Sequence, residues 1–327
     1  MFEISLKNNK SFNCDDKTSI LNAAKEAGIL LEHSCLAARC RSCATKVIKG
    51  TSTKVIEDAV LSEEDEKNGI ILTCNALPTS NMLLDIEDLG DTDLQKSRTL
   101  PAKIDSITPI TSTVIKVVLR LPPTSNFIFE AGQYVNIIKG AVKRSYSIAN
   151  KYREGNIIEF YIKEYKNGVM SNYWFNEAKI NDLLRIEGPL GTFFYRENES
   201  ENIIFLATGT GIAPVKSILE QLNGNTVLED KRIWLFWGGR YKEDIFWNPE
   251  FINLNLKFTP VLSRSDENWE GEKGYVQDVV LKQKINLINA QVYACGSIDM
   301  IASAKRLCIN NGLPEYQFYS DAFVSSN

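Results

Sequence analysis

Three cysteines lie close together in the stretch CLAARCRSC, where Cys35, Cys40 and Cys43 follow a C-x4-C-x2-C spacing. A fourth cysteine, Cys74, follows 31 positions after Cys43. Thiols at such spacing can hold zinc, form a redox-active dithiol or bind an iron–sulfur cluster. The stretch therefore indicates metal or redox chemistry.

These three uses of the thiols require different patterns. Structural zinc normally shows two C-x-x-C-like pairs, and only Cys40 and Cys43 form one here. A redox dithiol needs that pair alone and leaves Cys35 unexplained. The plant-type 2Fe-2S spacing, with its distant fourth cysteine, uses all four thiols. We therefore predict a 2Fe-2S cluster bound by Cys35, Cys40, Cys43 and Cys74.

The cysteine loop carries Ala37, Ala38, Arg39 and Arg41 at positions where a tight turn favours glycine. The two arginines could raise the reduction potential of an anionic cluster, or they could point into solvent. We expect them to point into solvent.

The remaining candidate ligands have simpler interpretations. Cys14 and Cys308 are expected to be small buried hydrophobes. His33 is the only histidine of the chain, whereas a Rieske centre needs two histidines. We expect it to be structural or exposed, and the single histidine with four thiols already assigned excludes a classical histidine-based triad.

Length and composition indicate a multidomain protein of a reducing compartment. A chain of 327 residues suits two or three domains. The first residues lack a signal-peptide pattern, and no stretch approaches the roughly 18 apolar residues of a membrane span. We expect a cytoplasmic protein without a membrane segment, in which the seven cysteines are reduced thiols.

The charge is unevenly distributed. Residues 1–100 hold 16 acidic and 12 basic residues, whereas the remainder holds 25 of each. No cluster of lysine and arginine offers a phosphate-binding surface, so we expect no nucleic-acid partner. The stretch EDAVLSEEDE predicts a solvated helix face, or alternatively an acidic surface that steers a partner.

The pattern of elements changes twice along the chain. Residues 1–90 read as short strands around one helix, capped by Thr18 or Ser19, and a polar linker follows at 91–98. Short strands separated by proline and glycine turns predict an antiparallel barrel over 99–198. From 199 to 327, strands alternate with helices, which predicts a doubly wound parallel sheet. The fold class is thus multidomain α+β and α/β.

Several motifs in the second and third segments resemble those of the ferredoxin-NADP reductase superfamily. RSYS, at Arg144 to Ser147, matches an R-x-Y-[ST] flavin signature, and NGVMSN contains a second motif, Gly168-x-x-Ser171. GTGIAP follows a buried strand and opens a helix, so its backbone could approach a pyrophosphate, with Pro214 in the first helical turn. WGGR, GEKGYV and YACGSIDMI follow in the superfamily's order.

The resemblance implies a β-grasp ferredoxin domain, an antiparallel β-barrel flavin domain and a doubly wound nucleotide domain, with flavin and nicotinamide cofactors. It places the arginine of RSYS on the flavin diphosphate, the tyrosine against the flavin and the serine near the nitrogen that receives hydride. The implied FAD-binding residues are Arg144, Ser145, Tyr146, Ser147, Ile162, Lys163, Gly168, Val169, Met170 and Ser171. The implied nicotinamide-nucleotide residues are Gly209, Thr210, Gly211, Ala213, Pro214, Gly238, Arg240, Ser263, Arg264, Cys295, Gly296 and Met300. The implied catalytic residues are Ser147, Cys295, Asp321 and Phe323.

Two of these assignments leave alternatives open. Ser263 and Arg264 could clasp a 2′-phosphate, but Arg264 could equally stack on adenine or face water. No acidic residue is clearly placed for ribose hydroxyls, so NADH or NADPH could serve, and the resemblance favours NADH. Phe323 would shield the flavin until nicotinamide displaces it, or it could belong to a flexible tail.

Across nearly the whole chain, stretches such as RIEGPLGTFF and FYSDAFVSSN resemble the CDP-6-deoxy-L-threo-D-glycero-4-hexulose-3-dehydrase reductase family, also called CDP-6-deoxy-3,4-glucoseen reductases. Ala38 and Arg41 depart from it, because they replace expected glycines. The resemblance implies an NAD(P)H-dependent oxidoreductase that passes electrons through FAD and the 2Fe-2S cluster. Its implied partner is a pyridoxamine-phosphate-dependent CDP-sugar 3-dehydrase of 3,6-dideoxyhexose biosynthesis. The alternative partner is an aromatic-ring or alkane oxygenase.

Overall fold

In the computed structural model, the chain divides into an N-terminal unit, Met1–Leu94, and a C-terminal unit, Gln95–Asn327. The structure describes residues 1–57, 59–90, 94–153, 155–225, 228 and 230–323. Part of the expected linker, residues 91–93, lies outside the described residues. Arg98, which was also assigned to the linker, begins a strand. Within the described part of the chain, none of the helices combines the length and apolar character needed to cross a bilayer.

The N-terminal unit is a β-grasp fold, as predicted. Its strands are β1 (Phe2–Leu6), β2 (Ser11–Cys14), β3 (Ala44–Lys49), β4 (Ser52–Lys54), β5 (Ile70–Leu72), β6 (Ala76–Pro78) and β7 (Met82–Leu84), and its helices are α1 (Ile20–Glu26) and α2 (Glu63–Lys67). The main sheet has the order β2-β1-β7-β3-β5, and β4 pairs separately with β6. Parallel pairing of β1 with β7 brings both ends of the unit into one sheet.

Helix α1 packs its apolar residues against that sheet. Ser19 caps the helix, because its side chain accepts a hydrogen bond from the Asn22 N–H at 3.4 Å. Ile20 and Leu21 are buried in the core of the unit together with Cys14. Burial of Cys14 confirms its expected apolar role. Helix α2 buries none of its residues, which confirms the solvated helix face expected for this acidic segment.

The first part of the C-terminal unit is an antiparallel barrel. Its strands are β8 (Arg98–Pro109), β9 (Val114–Arg120), β10 (Tyr134–Lys139), β11 (Val142–Ser147), β12 (Ile157–Lys163) and β13 (Leu183–Leu190). They follow the order β11-β10-β13-β8-β9-β12, and inward-facing aliphatic and aromatic side chains fill the core. Helix α3 (Val169–Asn172) continues as one π-helical turn, Tyr173–Glu177.

The second part of the C-terminal unit is a parallel sheet flanked by helices, as predicted. Its strands are β14 (Asn202–Thr208), β15 (Arg232–Gly239), β16 (Leu256–Leu262), β17 (Glu272–Lys273), β18 (Ala290–Gly296) and β19 (Phe318–Ala322), and its helices are α4 (Ile212–Leu222), α5 (Val276–Lys282) and α6 (Ile298–Asn310). The order is β17-β16-β15-β14-β18-β19. The chain moves outward from β14 and then returns to its other side at β18. This creates a topological switch point, where such sheets bind ligands at the carboxyl ends of their strands.

A buried ionic network fastens α4 to the barrel. Lys216 is 7% exposed, and its Nζ donates to the Ala149 carbonyl at 2.8 Å and to the Glu220 carboxylate. Glu220 Oε2 also accepts from the Lys151 N–H at 3.1 Å and from Arg153 Nη2 at 3.0 Å. The helix that follows the GTG turn is therefore anchored directly to the barrel.

Candidate functional site

The loop that carries the first three cysteines has an unusual backbone. Leu36, Ala38 and Arg41 adopt positive φ angles of 55°, 57° and 65°. A side chain disfavours this left-handed region, and glycine enters it freely. The expectation that glycine would suit Ala38 and Arg41 is thus explained by the backbone geometry. The extra turns let the loop fold back and direct its N–H groups toward the sulfurs.

The four thiols form two adjacent pairs. The Cys40 thiol donates a hydrogen bond to Cys35 Sγ, and the Cys43 thiol donates one to Cys74 Sγ across 3.3 Å. The contact with Cys40 lowers the pKa of Cys35 to about 6, and the contact with Cys43 lowers the pKa of Cys74. In each pair the same contact favours the thiolate of the acceptor, Cys35 or Cys74, and raises the pKa of the donor, Cys40 or Cys43; the thiolate is the form that binds metal.

Backbone donors surround the first pair. The N–H groups of Ala37 and Arg39 donate to Cys35 Sγ, and the Cys35 N–H donates to Cys40 Sγ, each at 3.4 Å. Hydrogen bonds to sulfur stabilise its negative charge.

This arrangement fits a binuclear cluster, in which each iron takes two protein ligands. Among the described residues, no three His, Cys, Asp or Glu side chains converge on a single metal ion. Two pairs of thiols meet the demand of two irons, with Cys35 and Cys40 suited to one and Cys43 and Cys74 to the other.

The expected exposure of the two arginines is wrong for Arg41. Its guanidinium forms a bidentate ion pair with Asp65, and both N–O distances are 2.7 Å. The reason is that helix α2 places a carboxylate beside the loop, a proximity that sequence spacing did not reveal. Arg39 is exposed. His33 is structural as expected, because its Nδ1 lies 2.8 Å from the Leu31 carbonyl and burial lowers its pKa.

In the barrel, strand β11 presents the RSYS segment. Alternation along the strand leaves Ser145 exposed and Arg144 and Tyr146 half-buried. The Tyr146 ring contacts Phe160 and Trp174 edge to face, with each centroid separation 6.2 Å. Its hydroxyl accepts from Trp174 Nε1 at 3.0 Å, and burial raises the pKa of Tyr146 to about 12. The tyrosine is thus neutral at physiological pH and fixed in orientation.

A cavity of about 680 Å³ lies beside the second flavin motif, a size typical of cofactor sites. Gly168, Val169, Met170 and Ser171 line it, with Lys139 among the other lining residues. A β-carbon at Gly168 would lie 3.1 Å from Ser171 Cβ. The glycine thus leaves room at the start of α3, whose N–H groups can bind a diphosphate. Two lysines, Lys139 and Lys166, and two glutamates, Glu164 and Glu177, also line the cavity, and Lys139 pairs with Glu177 at 3.8 Å. Ile162 is buried and Lys163 half-buried at the end of β12, next to this segment.

Ser147 lies where the barrel meets the parallel sheet. Its hydroxyl donates to the Asp321 carboxylate at 3.3 Å. Asp321 lies beside Cys295 in the register of β18 and β19. The Phe323 N–H donates to the Gly296 carbonyl at 2.8 Å, and its ring is partly buried. The structure therefore brings together the four residues for which catalytic roles were predicted.

The Cys295 thiol itself points into the core. Its exposure is 0%, and burial raises its pKa well above the ordinary value. The backbone of Cys295 faces the GTG turn, because a β-carbon at Gly211 would collide with the Cys295 carbonyl. Gly296 is equally constrained, since a β-carbon there would collide with the Thr208 hydroxyl and approach Met300.

The GTG turn lies at the switch point between β14 and β18. Gly209 adopts a φ of 54° with open space beside it, and Trp237 Nε1 donates to its carbonyl at 3.0 Å. Helix α4 then starts without a side-chain cap and contains Ala213 and Pro214 in its first turn. Uncapped N–H groups at a glycine-rich turn can hold a nucleotide phosphate.

Two exposed arginines flank the neighbouring strand ends. Arg240 follows strand β15, which ends in Gly238 and Gly239. The Arg264 N–H donates to the Arg240 carbonyl at 2.9 Å. The Ser263 hydroxyl donates to the Gly239 carbonyl at 3.3 Å. Arg240 and Arg264 thus lie at the carboxyl ends of β15 and β16, whereas Cys295 lies on β18, on the other side of β14.

Sequence reasoning missed the residues that orient this machinery. Asp65 forms an ion pair with Arg41. Trp174 donates a hydrogen bond to the Tyr146 hydroxyl, and Trp237 donates one to the Gly209 carbonyl. Only Trp237 gave a signal, because it immediately precedes the glycines of WGGR. Asp65 lies in a segment that the sequence analysis interpreted as a solvated acidic helix face, and no prediction was made for Trp174.

Three family models match the chain. Residues 4–79 match the 2Fe-2S iron-sulfur cluster binding domain, residues 101–195 the oxidoreductase FAD-binding domain, and residues 205–306 the oxidoreductase NAD-binding domain. The chain also resembles solved structures along 99% of its length. These include an Amycolatopsis cytochrome P450 reductase, with TM-score 0.74, 21% identity and 99% of that chain covered. For the ferredoxin reductase in carbazole 1,9a-dioxygenase, the TM-score is 0.71, the sequence identity is 24%, and 98% of that chain is covered. These two show the fold.

Sequence relatives define the family. The chain is 40% identical over 319 residues to the CDP-6-deoxy-L-threo-D-glycero-4-hexulose-3-dehydrase reductase of Yersinia pestis, covering 96% of each chain. It is 30% identical over 334 residues to the reductase component of propane 2-monooxygenase from Rhodococcus jostii, covering 94% of this chain and 86% of that protein. The chain therefore belongs to the family of CDP-6-deoxy-L-threo-D-glycero-4-hexulose-3-dehydrase reductases, oxidoreductases with 2Fe-2S, FAD-binding and NAD-binding domains.

Proposed function

We propose that this chain passes electrons from NADH through FAD and a 2Fe-2S cluster to a dehydrase that deoxygenates a CDP-bound 6-deoxyhexulose at C-3. The observation that carries the choice of partner is the 40% identity to the Yersinia reductase, against 30% to the propane 2-monooxygenase component. The domain boundaries we propose are 1–90, 98–198 and 199–327, with a linker at 91–97, since strand β8 begins at Arg98.

In this proposal the barrel holds the flavin. A bound flavin accepts the two electrons of a hydride and releases them singly, as a one-electron cluster requires. Arg144 binds the diphosphate together with the start of α3, where Gly168 and Ser171 line the cavity. The fixed Tyr146 ring offers an apolar surface to the isoalloxazine. The Ser147 hydroxyl would form a hydrogen bond with the flavin nitrogen that receives hydride, and Asp321 orients that hydroxyl.

The parallel sheet holds the nicotinamide nucleotide. The GTG turn admits the pyrophosphate, since its glycines let the backbone approach closely. The backbone of Cys295 and Gly296 would border the nicotinamide, and the Phe323 ring would shield the flavin in the absence of the nucleotide. Arg240 and Arg264 contact the adenosine end. The family resemblance favours NADH over NADPH.

The N-terminal unit carries the electron exit. Cys35, Cys40, Cys43 and Cys74 bind the cluster, and the N–H groups of the loop stabilise the charge on sulfur. In the proposed partner, a pyridoxamine cofactor would hold the sugar, and two delivered electrons with two protons would replace its 3-hydroxyl by hydrogen, the hydroxyl leaving as water.

The experiment that tests the partner mixes the purified chain and NADH with either a CDP-hexulose 3-dehydrase and its substrate or an alkane or aromatic-ring oxygenase. We expect NADH-dependent 3-deoxy product with the dehydrase only. Turnover with the oxygenase and none with the dehydrase would overturn the choice of partner and leave the electron path intact.

A further inference from the structure

The cysteine loop holds an energetically costly conformation at the two positions where glycine is expected. Ala38 and Arg41 both carry a β-carbon at positive φ, which L-residues disfavour. Ala38 is also buried, at 2% exposure. Such a conformation persists only where the surrounding structure fixes it. The contacts made by these two residues therefore identify what fixes the loop.

Both residues are held by one segment, Val60–Asp65. The Ala38 carbonyl accepts from the Val60 N–H at 3.1 Å. The Arg41 guanidinium spans the Asp65 carboxylate through two bonds of 2.7 Å and also lies 3.5 Å from the Val60 carbonyl. Val60 packs beside Ala38 and Cys43 in a small apolar cluster.

The orientation of the Asp65 side chain is also fixed by contacts within its own helix. Its Oδ2 accepts from the Ser62 N–H at 2.8 Å and from the Ser62 hydroxyl at 2.7 Å, which closes the capping box of α2. The Asp65 side chain is 20% exposed and that of Arg41 is 37% exposed. The pair is therefore bidentate, preorganised and partly shielded, unlike an ordinary surface ion pair.

We propose that Asp65 is a positioning residue of the cluster site, which acts through Arg41 to hold the thiol-bearing loop in its left-handed form. The ion pair thus stabilises the positive φ at position 41, which a glycine would adopt without such a contact. This inference rests on the proposed 2Fe-2S site. It makes a specific prediction, because Asp65 should matter only while residue 41 has a side chain to hold.

The test follows loss of visible cluster absorbance from the full-length holoprotein after addition of an iron chelator. The variants are Asp65→Asn, Arg41→Gly, the double variant and Ser62→Ala, which disturbs the capping box but keeps the ion pair. Iron and labile sulfide measure loading of each protein as purified. FAD content reports that the C-terminal unit is folded.

We expect Asp65→Asn to lose its cluster about fivefold faster than wild type or to be purified with less of it. Arg41→Gly and the double variant should retain the cluster alike, and Ser62→Ala should change the rate less than about twofold. Retention by Asp65→Asn equal to wild type overturns the inference. So does an equally large effect of Asp65→Asn in the glycine background, since Asp65 would then act through α2. Absence of a cluster from wild type would instead reject the proposed function.

Discussion

Ser147 on the last barrel position of β11 donates its hydroxyl to the carboxylate of Asp321 on the last strand of the parallel sheet, although 174 positions separate them. Both residues are buried, at 9% and 5% exposure. The flavin motif and the C-terminal acidic element are thus one hydrogen-bonded unit. Because its one proton is held by Asp321, the Ser147 oxygen stays oriented to accept a hydrogen bond, such as one from the N–H of a reduced flavin.

Replacing Ser147 with alanine should slow reduction of the bound flavin by NADH about tenfold or more, because a buried hydrogen bond to a charged group is lost. Anaerobic stopped-flow measurement of the flavin absorbance checks this rate. Ser112→Ala, in an exposed turn of the barrel, serves as the control. An unchanged reduction rate in Ser147→Ala contradicts the assigned role.

Gly211→Ala should abolish close packing of the GTG turn on β18, because the new β-carbon meets the Cys295 carbonyl. We expect NADH-dependent flavin reduction to fall about 100-fold, since small displacements in a reacting pair are costly. Dithionite, which bypasses the nucleotide site, should still reduce the flavin and the cluster. Normal NADH reduction in this variant would show that the turn does not position the nucleotide.

Trp237→Phe removes the donor to the Gly209 carbonyl and should raise the KM for NADH about fivefold with little change in kcat. Trp234→Phe is a matched control on the same strand. Its Nε1 donates to Asn202 Oδ1 at 3.1 Å, at the opposite end of the sheet. Equal effects of the two substitutions on KM count against a specific role of Trp237.

Glu220→Gln should destabilise the C-terminal unit by about 2 kcal/mol at pH 7, because the buried Lys216 loses its nearest carboxylate and keeps only the longer ion pair with Glu159, at 4.0 Å. Burial alone would raise the pKa of Glu220, but Lys216, the Lys151 N–H and Arg153 outweigh it and hold that pKa below its ordinary 4.5. A lowered carboxylate pKa contributes stability above the ordinary pKa that is lost as pH falls through the folded value.

The stability difference between wild type and Glu220→Gln should therefore persist at neutral pH and shrink below about pH 4.5. Urea unfolding followed across that range by near-ultraviolet circular dichroism measures it. The exposed Glu267→Gln is the control. A difference that stays constant down to the acid limit would be evidence against the ionic network.

Local sequence patterns predicted much of this molecule. The spacing of four cysteines predicted the thiol cluster. Of the four loop positions where a tight turn favours glycine, Ala38 and Arg41, which the family resemblance also marked, have positive φ angles, whereas Ala37 and Arg39 do not. The change from short strands to alternating strands and helices predicted the two sheets of the C-terminal unit. These features depend on neighbours in the chain, which a single sequence displays directly.

Apart from the meeting of Cys74 with the cysteine loop, which a known spacing motif indicated, pairings between distant segments were not predictable from one sequence. Arg41 was expected in solvent, because nothing in the sequence indicates that a residue 24 positions later lies within hydrogen-bonding reach. The hydrogen bond from Trp174 to Tyr146 joins the π-helical turn to strand β11. Ionic and polar contacts of this kind depend on the tertiary fold, and any of several acidic or aromatic residues could have supplied them.

The most direct test of the proposed electron path is an anaerobic titration of the purified chain with NADH, followed optically and by electron paramagnetic resonance after iron and labile-sulfide analysis. We predict about two irons and two sulfides per chain. We also predict loss of oxidised flavin absorbance and a reduced-cluster resonance that Cys43→Ser lacks. A chain with normal FAD but without labile sulfide, or with a cluster that NADH leaves oxidised while the flavin is reduced, would contradict the account.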